Sequence, residues 1–310
     1  MKRRAELVRD LSGKFFKDCP NLLEIEQPLT ARLFFQQLPM RHRDLEFRLL
    51  KQITETKEHE DLLIDSQSFQ VENRYADVVP YCDNRVSLSD GSYINASFVN
   101  GALADSQTMF LCTQGPLQHT AGKFWQMIWE YSVPLIVMVT DFEEGGRVKC
   151  DKYMPDRGSV EYGPFRISLV RQEQLFDKLT SRELIIERGG ERRSVRHLQS
   201  TAWPDHGVPE LEEEFDSLMY MINAMIQTRT LPSLPRVVVH CSAGIGRTGT
   251  IVGLYSIISA YEQAQAGEEP SFSVFGTVRQ MREQRFGMVQ TRDQYDFIYK
   301  FLEHWLSSNL

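Results

Sequence analysis

Long hydrophobic runs are missing from this sequence. The longest apolar stretch, Val133 to Val139, contains Pro134 and is too short to cross a bilayer. The basic start MKRRAELVRD is followed by no apolar segment. The sequence therefore predicts neither a secretory signal nor direct membrane insertion, and a cytoplasmic setting is expected.

Cysteine is also scarce, and its positions form no recognisable pattern. The sequence has five cysteines, an odd number, and they lie far apart without a C-x-x-C pair. This disfavours both a disulfide framework and a structural zinc site. We expect the protein to work without a metal and without any other cofactor.

A surplus of basic residues is absent as well. The chain has 35 Lys and Arg against 42 Asp and Glu, which gives a formal net charge of -7. General nucleic-acid binders need surplus positive charge to replace the counterions of phosphates, so no nucleic-acid partner is expected. The remaining composition, with 42% hydrophobic and 25% charged residues, is typical of a folded globular chain.

Hydrophobic patterns divide the chain near residue 65. Residues 1–65 are polar and helical in pattern, with apolar residues three and four apart in LTARLFFQQL and DLEFRLLKQI. From Phe69 onward the strand-like runs are SYINASFV, MFLCTQ, LIVMVTD, FRISLV and RELIIER. The helical runs are AGKFWQMIWEYS, LEEEFDSLMYMINAMIQT, TGTIVGLYSIISAYEQAQA and RDQYDFIYKFLEHWL. We predict a single α/β (α+β) domain over 66–310, a mixed sheet flanked by helices, with 1–65 as a helical extension packed on it or leading into it.

One segment joins a strand, a loop of small residues and a helix. The β-branched run Pro235 to His240 is followed by Cys241, the loop 242–246, Arg247 and an apolar helical stretch. Small residues let the backbone curl so that successive N–H groups point inward, and the positive end of the helix lies behind them. This arrangement predicts a cradle for a dianion.

Cys241 and Arg247 would complete that cradle. The guanidinium of Arg247 can hold two phosphate oxygens at once. The same cation and N–H groups stabilise a thiolate, so the cysteine would be ionised before a substrate arrives. The alternative is an inert buried cysteine with an arginine nearby by chance. The whole string H-C-S-A-G-I-G-R-T-G in its strand-to-helix context is far more restrictive than that pair.

The string VHCSAGIGRTG resembles the signature loop of the classical, tyrosine-specific protein tyrosine phosphatases. The resemblance continues from Asn73 to near the C-terminus through NRYADV, DGSYINAS, TQGPL, FWQMIWE, KCDKYMP, WPDHGVP and QTRDQY, in the family's order. About the first 45 residues resemble no segment that we can name. The resemblance implies a highly twisted mixed β-sheet flanked by helices and a cysteine-dependent enzyme, of the non-receptor type.

The resemblance also assigns roles in the first chemical step. Cys241 corresponds to the nucleophile, and Asp205, in Trp203-Pro204-Asp205, to a general acid on a loop that closes over substrate. A carboxylic acid there would protonate the departing tyrosine oxygen; the bland alternative is a turn residue after proline. The phosphate-binding residues implied are Ser242, Ala243, Gly244, Ile245, Gly246 and Arg247.

Further residues correspond to those that complete the second step. Gln290 matches the glutamine that positions the attacking water, and Gln294 its usual companion. Thr248 matches a hydroxyl residue that assists the departing thiolate. The alternative for this segment is an ordinary helix start with Thr291 as its cap.

Substrate recognition is implied at the NRYADV segment. Tyr75 corresponds to an aromatic wall that stacks on the substrate ring, and Asp77 to an acidic residue that holds the peptide backbone. Tyr75 could instead be a core aromatic. Ala76 departs from the basic residue that many relatives carry there, so the resemblance does not imply a preference for acidic substrate sequences.

Four other positions are expected to support the site. Glu144 resembles the glutamate that braces the signature arginine, although Glu143 stands next to it, and Lys149 resembles a lysine that helps position the acid loop. His240 is expected to act through hydrogen bonds of the loop rather than as a base. Arg282 lies where some relatives read a second phosphate or an acidic side chain.

Two functions remain to be compared. The first is an active phosphatase acting on phosphotyrosine-containing proteins as a monomeric catalytic domain. The second is an inactive phosphotyrosine-binding module of the same fold, since a fold does not guarantee catalysis. Asp205 and Gln290, which such modules commonly lose, are both present and favour the enzyme. A dual-specificity or lipid phosphatase is disfavoured by the N-R-Y segment and the length of the chain.

Overall fold

A computed structural model describes residues 25–101, 110–204, 207–231, 237–264 and 269–309. Its strands are β1 Leu29–Thr30, β2 Ala96–Val99, β3 Phe110–Thr113, β4 Leu135–Met138, β5 Glu143–Glu144, β6 Arg147–Val148, β7 Ser159–Tyr162, β8 Phe165–Phe176, β9 Leu179–Arg188, β10 Glu191–Ser200, β11 Val237–His240 and β12 Ser271–Phe272. Its α-helices are α1 Ala31–Gln37, α2 Arg43–Thr54, α3 Lys57–Glu60, α4 Ala121–Glu130, α5 Leu211–Gln227, α6 Gly246–Glu262, α7 Val274–Gln284 and α8 Arg292–Asn309. None of these helices is long and apolar enough to cross a membrane.

An eight-stranded mixed sheet is the centre of the molecule. Its strand order is β2-β3-β11-β4-β10-β9-β8-β7. Strands β3, β11, β4 and β10 are parallel, whereas β2 and the β10-β9-β8-β7 meander are antiparallel. The parallel strands end at the same edge, which is where loops of this kind of sheet commonly build sites.

Side chains from the central strands alternate between two hydrophobic clusters. In β11, Val237 and Val239 belong to the larger cluster, together with residues of α5, α6, α7 and α8, while Val238 faces the smaller cluster with α4. A strand sends successive side chains to opposite faces, so both faces of the centre are covered. This explains why the first three residues of β11 are all valines, because each is buried on one side of the sheet or the other.

The described part of the N-terminal segment packs into the same core. Strand β1 pairs with β12, Phe34 of α1 stacks on Tyr299 of α8, and Phe47 and Leu50 of α2 belong to the larger cluster. Helix α2 lies against α7 and α8. The helical segment before residue 66 is thus joined to the sheet's helical layer by apolar packing.

The predicted fold class is confirmed. The four predicted helices correspond to α4, α5, α6 and α8, and the predicted strand segments overlap β2, β3, β4, β8, β9 and β11. Helix α7 and the strands β1, β5, β6, β7, β10 and β12 were not predicted from the sequence.

Candidate active site

The loop between β11 and α6 curls tightly around Cys241. Gly244 has φ +73°, and a Cβ at this position would lie 2.1 Å from the carbonyl oxygen of Thr113, so only glycine fits. The curl turns the Gly244 N–H toward the cysteine, where it donates to Sγ at 3.3 Å. Cys241 is only 4% exposed and lies at the floor of the loop. The predicted phosphate-binding residues Ser242, Ala243, Gly244, Ile245 and Gly246 form this loop and the first residue of α6.

Arg247 is held from several sides on the first turn of α6. Its guanidinium forms a two-point ion pair with Glu144, in which Nη2 lies 2.7 Å from Oε2. It also donates to Thr140 Oγ1 at 3.2 Å and to the carbonyl oxygen of Pro204 at 3.1 Å. Burial acts to raise the pKa of Glu144, but the hydrogen bonds and charge of Arg247 outweigh it and leave that pKa below its ordinary value. The arginine is thereby fixed in place before any anion binds.

A second arginine, which the sequence reading missed, supports the loop from behind. Arg285 is fully buried, and its guanidinium donates to the carbonyl oxygens of Gly244 at 2.8 Å and Ala243 at 3.2 Å. Its remaining donors reach Ser97 Oγ and Asn95 Oδ1. Holding these carbonyls outward keeps the amide N–H groups of the loop pointing inward. All of these acceptors are neutral, so the buried positive charge adds to the field of the cradle.

His240 belongs to a buried hydrogen-bond chain. Its Nδ1 lies 3.1 Å from the carbonyl oxygen of Cys241, which can only accept, so Nδ1 carries the proton. Nε2 then accepts from the Tyr153 hydroxyl at 2.7 Å, and that oxygen accepts from His197 Nε2 at 2.8 Å. Arg182 Nη1 lies 3.5 Å from His197 Nδ1 at the far end.

Burial keeps His240 uncharged in the working range of pH. Desolvation lowers its pKa to about 4, although the hydrogen bond to the Cys241 carbonyl opposes this, and the pKa of His197 is lowered well below its ordinary value for the same reason. A histidine fixed in this way orients the loop through hydrogen bonds rather than exchanging protons. Tyr153, in the quoted KCDKYMP segment, had no sequence signal that marked its role.

The two predicted glutamines lie against the start of α6. A Cβ at Gly246 would be 2.9 Å from Gln294 Nε2 and 3.2 Å from Gln290 Oε1, so glycine leaves room for both amides. Gln294 Oε1 accepts from the backbone N–H of Gln290 at 2.9 Å. Gln290 is exposed, whereas Gln294 is buried. Thr248 is buried on the same turn of α6, and its Oγ1 has no hydrogen-bond partner among the described residues.

Arg282 lies in an environment that differs from the expectation. Its side chain is 1% exposed, and it donates to the carbonyl oxygens of Met288 and Val289, both at 2.9 Å. It also forms an ion pair with Glu55 at 2.8 Å. The expectation that Arg282 reads a second phosphate or an acidic side chain of a substrate is therefore wrong, because the guanidinium is enclosed and already occupied.

The predicted aromatic wall stands at the rim of the loop. Tyr75 is 37% exposed, and its hydroxyl lies 2.9 Å from Ser242 Oγ. Ser242 Oγ in turn donates to the carbonyl oxygen of Lys149 at 2.7 Å, which ties Lys149 to the loop. Asp77 is exposed two positions after the wall. Tyr75 is thus not a core aromatic, and its side chain is directed at the cradle.

The segment before the predicted acid also reaches the loop. Trp203 is 3% exposed and packs on Phe297 of α8, with the ring centroids 5.9 Å apart. Pro204 receives the hydrogen bond from Arg247 described above. Asp205 itself lies outside the described residues.

The described cysteines other than Cys241 differ from it in environment. Cys112 and Cys150 are buried, Cys82 is exposed, and all of them are free thiols. Burial raises the pKa of Cys112 to about 12 and also raises that of Cys150. Cys112 and Cys150 are thus held as neutral thiols, and of the described cysteines only Cys241 lies at the floor of the loop.

No cluster of His, Cys, Asp and Glu able to hold a metal ion occurs in the described part of the chain.

Comparison with known proteins agrees with this geometry. A family model described as protein-tyrosine phosphatase matches residues 70–304. Receptor-type tyrosine-protein phosphatase S of Gallus gallus is 38% identical over 80% of this chain, and tyrosine-protein phosphatase 2 of Dictyostelium discoideum is 41% identical over 70%. Human tyrosine-protein phosphatase non-receptor type 14 is 38% identical over 76%. The matches cover 16%, 55% and 21% of those relatives' own lengths, respectively.

Solved structures show the same fold. The catalytic domain of human protein tyrosine phosphatase non-receptor type 18 aligns with a TM-score of 0.78 and 31% identity, over 88% of this chain and 98% of that one. A structure of PTPN18 in complex with HER2 phosphopeptides aligns with a TM-score of 0.76 and 31% identity, over 84% and 98%. The family match, the sequence identities and the arrangement of loop, arginine and glutamines agree, and this chain belongs to the protein-tyrosine phosphatase family.

Proposed function

We propose that this chain hydrolyses phosphotyrosine in proteins through a cysteinyl-phosphate intermediate on Cys241. The observation that carries the proposal is the position of Cys241 Sγ at the floor of a curled loop, with the Gly244 N–H directed at it and Arg247 braced beside it by Glu144. Such a loop binds a phosphate dianion and stabilises a thiolate with the same donors.

The first step transfers the phosphoryl group to the enzyme. The Cys241 thiolate attacks phosphorus, an S–P bond forms, and the bond from phosphorus to the tyrosine oxygen breaks. The loop amides and Arg247 stabilise the charge on the three remaining phosphoryl oxygens. Asp205 gives its proton to the departing phenolate; the Arg247–Pro204 hydrogen bond supports this role because it ties the residue before the acid to the cradle.

The second step returns the enzyme to its starting state. The Asp205 carboxylate takes a proton from a water molecule held by Gln290, and the water oxygen attacks phosphorus as the S–P bond breaks. Inorganic phosphate and the Cys241 thiolate result. The unpartnered hydroxyl of Thr248, one residue after Arg247, is suited to donate to the departing sulfur.

Selectivity for tyrosine follows from the depth of the site. Tyr75 stands above the loop and contacts Ser242, so a substrate must pass an aromatic wall before its phosphate reaches the buried sulfur. A phosphotyrosine ring has the length and the flat face for this, whereas phosphoserine is too short. The bound HER2 phosphopeptides of PTPN18 support a phosphotyrosine peptide as the substrate class. A reducing, cytoplasmic setting and a monomeric catalytic domain complete the proposal.

Peptide hydrolysis tests the proposed reaction directly. We expect phosphate release from a phosphotyrosine peptide and, at equal concentration, at least about 100-fold less from the matching phosphoserine peptide, since the shorter side chain cannot bring its phosphorus to the sulfur. Release should be unchanged by a chelator. Equal turnover of both peptides would contradict the tyrosine assignment, and binding without turnover would favour the inactive phosphotyrosine-binding module.

Replacing Asp205 by alanine should separate binding from catalysis. Without a proton donor the phenolate leaves poorly, so kcat is expected to fall by about 100-fold or more while the phosphopeptide still binds. Steady-state kinetics and calorimetry measure the two effects. Asp156, an exposed residue paired with Lys152, is the matched control, and Asp156→Ala should stay within twofold of the parent. Undiminished turnover in Asp205→Ala would mean that another group is the acid.

A further inference from the structure

The turn before Gln290 has an unusual backbone conformation. Val289 is fully buried and has φ +57°, in the left-handed region that β-branched residues rarely adopt. Its N–H donates to the Ile245 carbonyl oxygen at 3.0 Å, and a Cβ at Gly249 would lie 2.4 Å from the Val289 nitrogen. The turn is therefore pressed against the phosphate-binding loop, and a strained residue persists only where its surroundings fix it.

Arg282 holds the Val289 turn in this conformation. Its Nε donates to the Met288 carbonyl oxygen and its Nη2 to the Val289 carbonyl oxygen, so one planar group holds both peptide units that precede Gln290. Because the guanidinium is planar, its two hydrogen bonds fix the orientation of these peptide units. Since φ and ψ of Val289 set where the next residue points, the position of the Gln290 amide depends on the guanidinium.

The buried guanidinium is neutralised from outside the matched family region. Glu55, the residue after α2, pairs with Arg282 Nη1 at 2.8 Å, and Thr54 Oγ1 accepts from the same nitrogen at 3.2 Å. Burial lowers the pKa of Arg282, and Glu55 opposes this. The family match begins at residue 70, so these contacts come from the preceding helical segment. Arg282 is 1% exposed and Glu55 is 28% exposed. Removing the Glu55 charge therefore leaves the buried cation without this acidic partner, and the structure must rearrange to accommodate it.

We propose that Glu55 is a positioning residue for the hydrolysis step: it fixes Arg282, which fixes the Val289 turn and thereby places Gln290 against the water that attacks the phosphoenzyme. This inference rests on the proposed function. It gives the helical segment before residue 66 a part in the chemistry in addition to its packing. Cys241 and Arg247 are held by other groups. The one loop carbonyl that the turn contacts, that of Ile245, also accepts from the Gly249 N–H at 2.9 Å. Formation of the intermediate should therefore be spared.

Rapid-quench kinetics of Glu55→Gln with a ³²P-labelled phosphotyrosine peptide tests the proposal. We expect phosphoenzyme formation within twofold of the parent and phosphoenzyme hydrolysis about tenfold slower, since small displacements of a positioning group have effects of this size or larger. Labelled enzyme should accumulate in the steady state. With glycerol present, the variant should transfer a larger share of the phosphoryl group to glycerol than the parent does. The reason is that Gln290 no longer positions water for attack in preference to glycerol.

Two variants make the result specific. Glu60→Gln removes the same charge from an exposed side chain of α3 and should match the parent in both steps. Glu55→Asp keeps the charge and should recover most of the hydrolysis rate. The proposal is overturned if Glu55→Gln hydrolyses the intermediate at the parent rate, or if both steps fall equally. If the parent enzyme forms no labelled intermediate, the proposed function itself fails.

Discussion

Cys241→Ser is expected to lower turnover of a phosphotyrosine peptide by at least about 10⁴-fold, in line with the loss of a nucleophile in other covalent mechanisms. A serine hydroxyl is not ionised in this cradle and attacks phosphorus poorly. Binding should survive, because the phosphate is held by the loop amides and by Arg247, whose position is fixed by Glu144 and by the Pro204 carbonyl rather than by the sulfur.

Calorimetry with the phosphopeptide and steady-state kinetics would be measured on the same preparation. Cys82→Ser is the matched control, because Cys82 is a free thiol on the surface and its loss should change neither quantity. Alkylation by iodoacetate at neutral pH should label Cys241 in the parent enzyme well before the buried Cys112 and Cys150. A Cys241→Ser variant that turned over at the parent rate would remove the basis of the proposed mechanism.

Local sequence was enough to predict the strand, loop and helix on which the proposed chemistry rests. The valine run of β11, the small residues 242–246 and the helix after them are consecutive, so their geometry follows from short-range rules for strands, tight turns and helix starts. The position of Arg247 one turn into α6 follows in the same way. The resemblance to the family then located Tyr75 and Gln290, which the structure brings to the same loop.

Groups that act through tertiary packing were not predictable in this way. Arg285 and Tyr153 hold the loop by hydrogen bonds to its carbonyls and to His240, but nothing in their local sequence distinguishes them from surface residues. Arg282 was noticed and given the wrong role, because its burial depends on α2, which lies more than 200 residues away in the chain. Charged residues are usually solvated, and only the fold reveals the exceptions.

The choice between Glu143 and Glu144 illustrates the same limit. Adjacent residues of a strand point to opposite sides, so a sequence with two glutamates in succession leaves the assignment open. In the β5–β6 hairpin Glu143 is exposed, and Glu144 pairs with Arg247. Strand β10 was also not predicted. Its sequence ERRSVRHLQS is rich in charged residues, and it forms a strand because it pairs with β4 and β9, which local sequence does not reveal.

Arg247→Lys is expected to lower kcat by about 10³-fold, which is the usual scale for removing a transition-state charge clamp. Lysine keeps the positive charge but loses the planar fork, and it cannot hold two phosphoryl oxygens while contacting both carboxylate oxygens of Glu144. Without the two-point contact, Glu144 should also be held less firmly in the variant. Phosphopeptide affinity should weaken as well.

Arg193→Lys is the matched control for this substitution. Arg193 packs over the Trp129 ring near the start of β10, at the opposite end of that strand from the segment that leads to Trp203 and Pro204. Kinetics and thermal unfolding of both variants separate catalysis from folding: Arg193→Lys should keep kcat within twofold, and Arg247→Lys should unfold within a few degrees of the parent. If Arg247→Lys retained full turnover, a positive charge at this position would be enough for catalysis. The two-point contact between Glu144 and Arg247 would then not contribute to the rate.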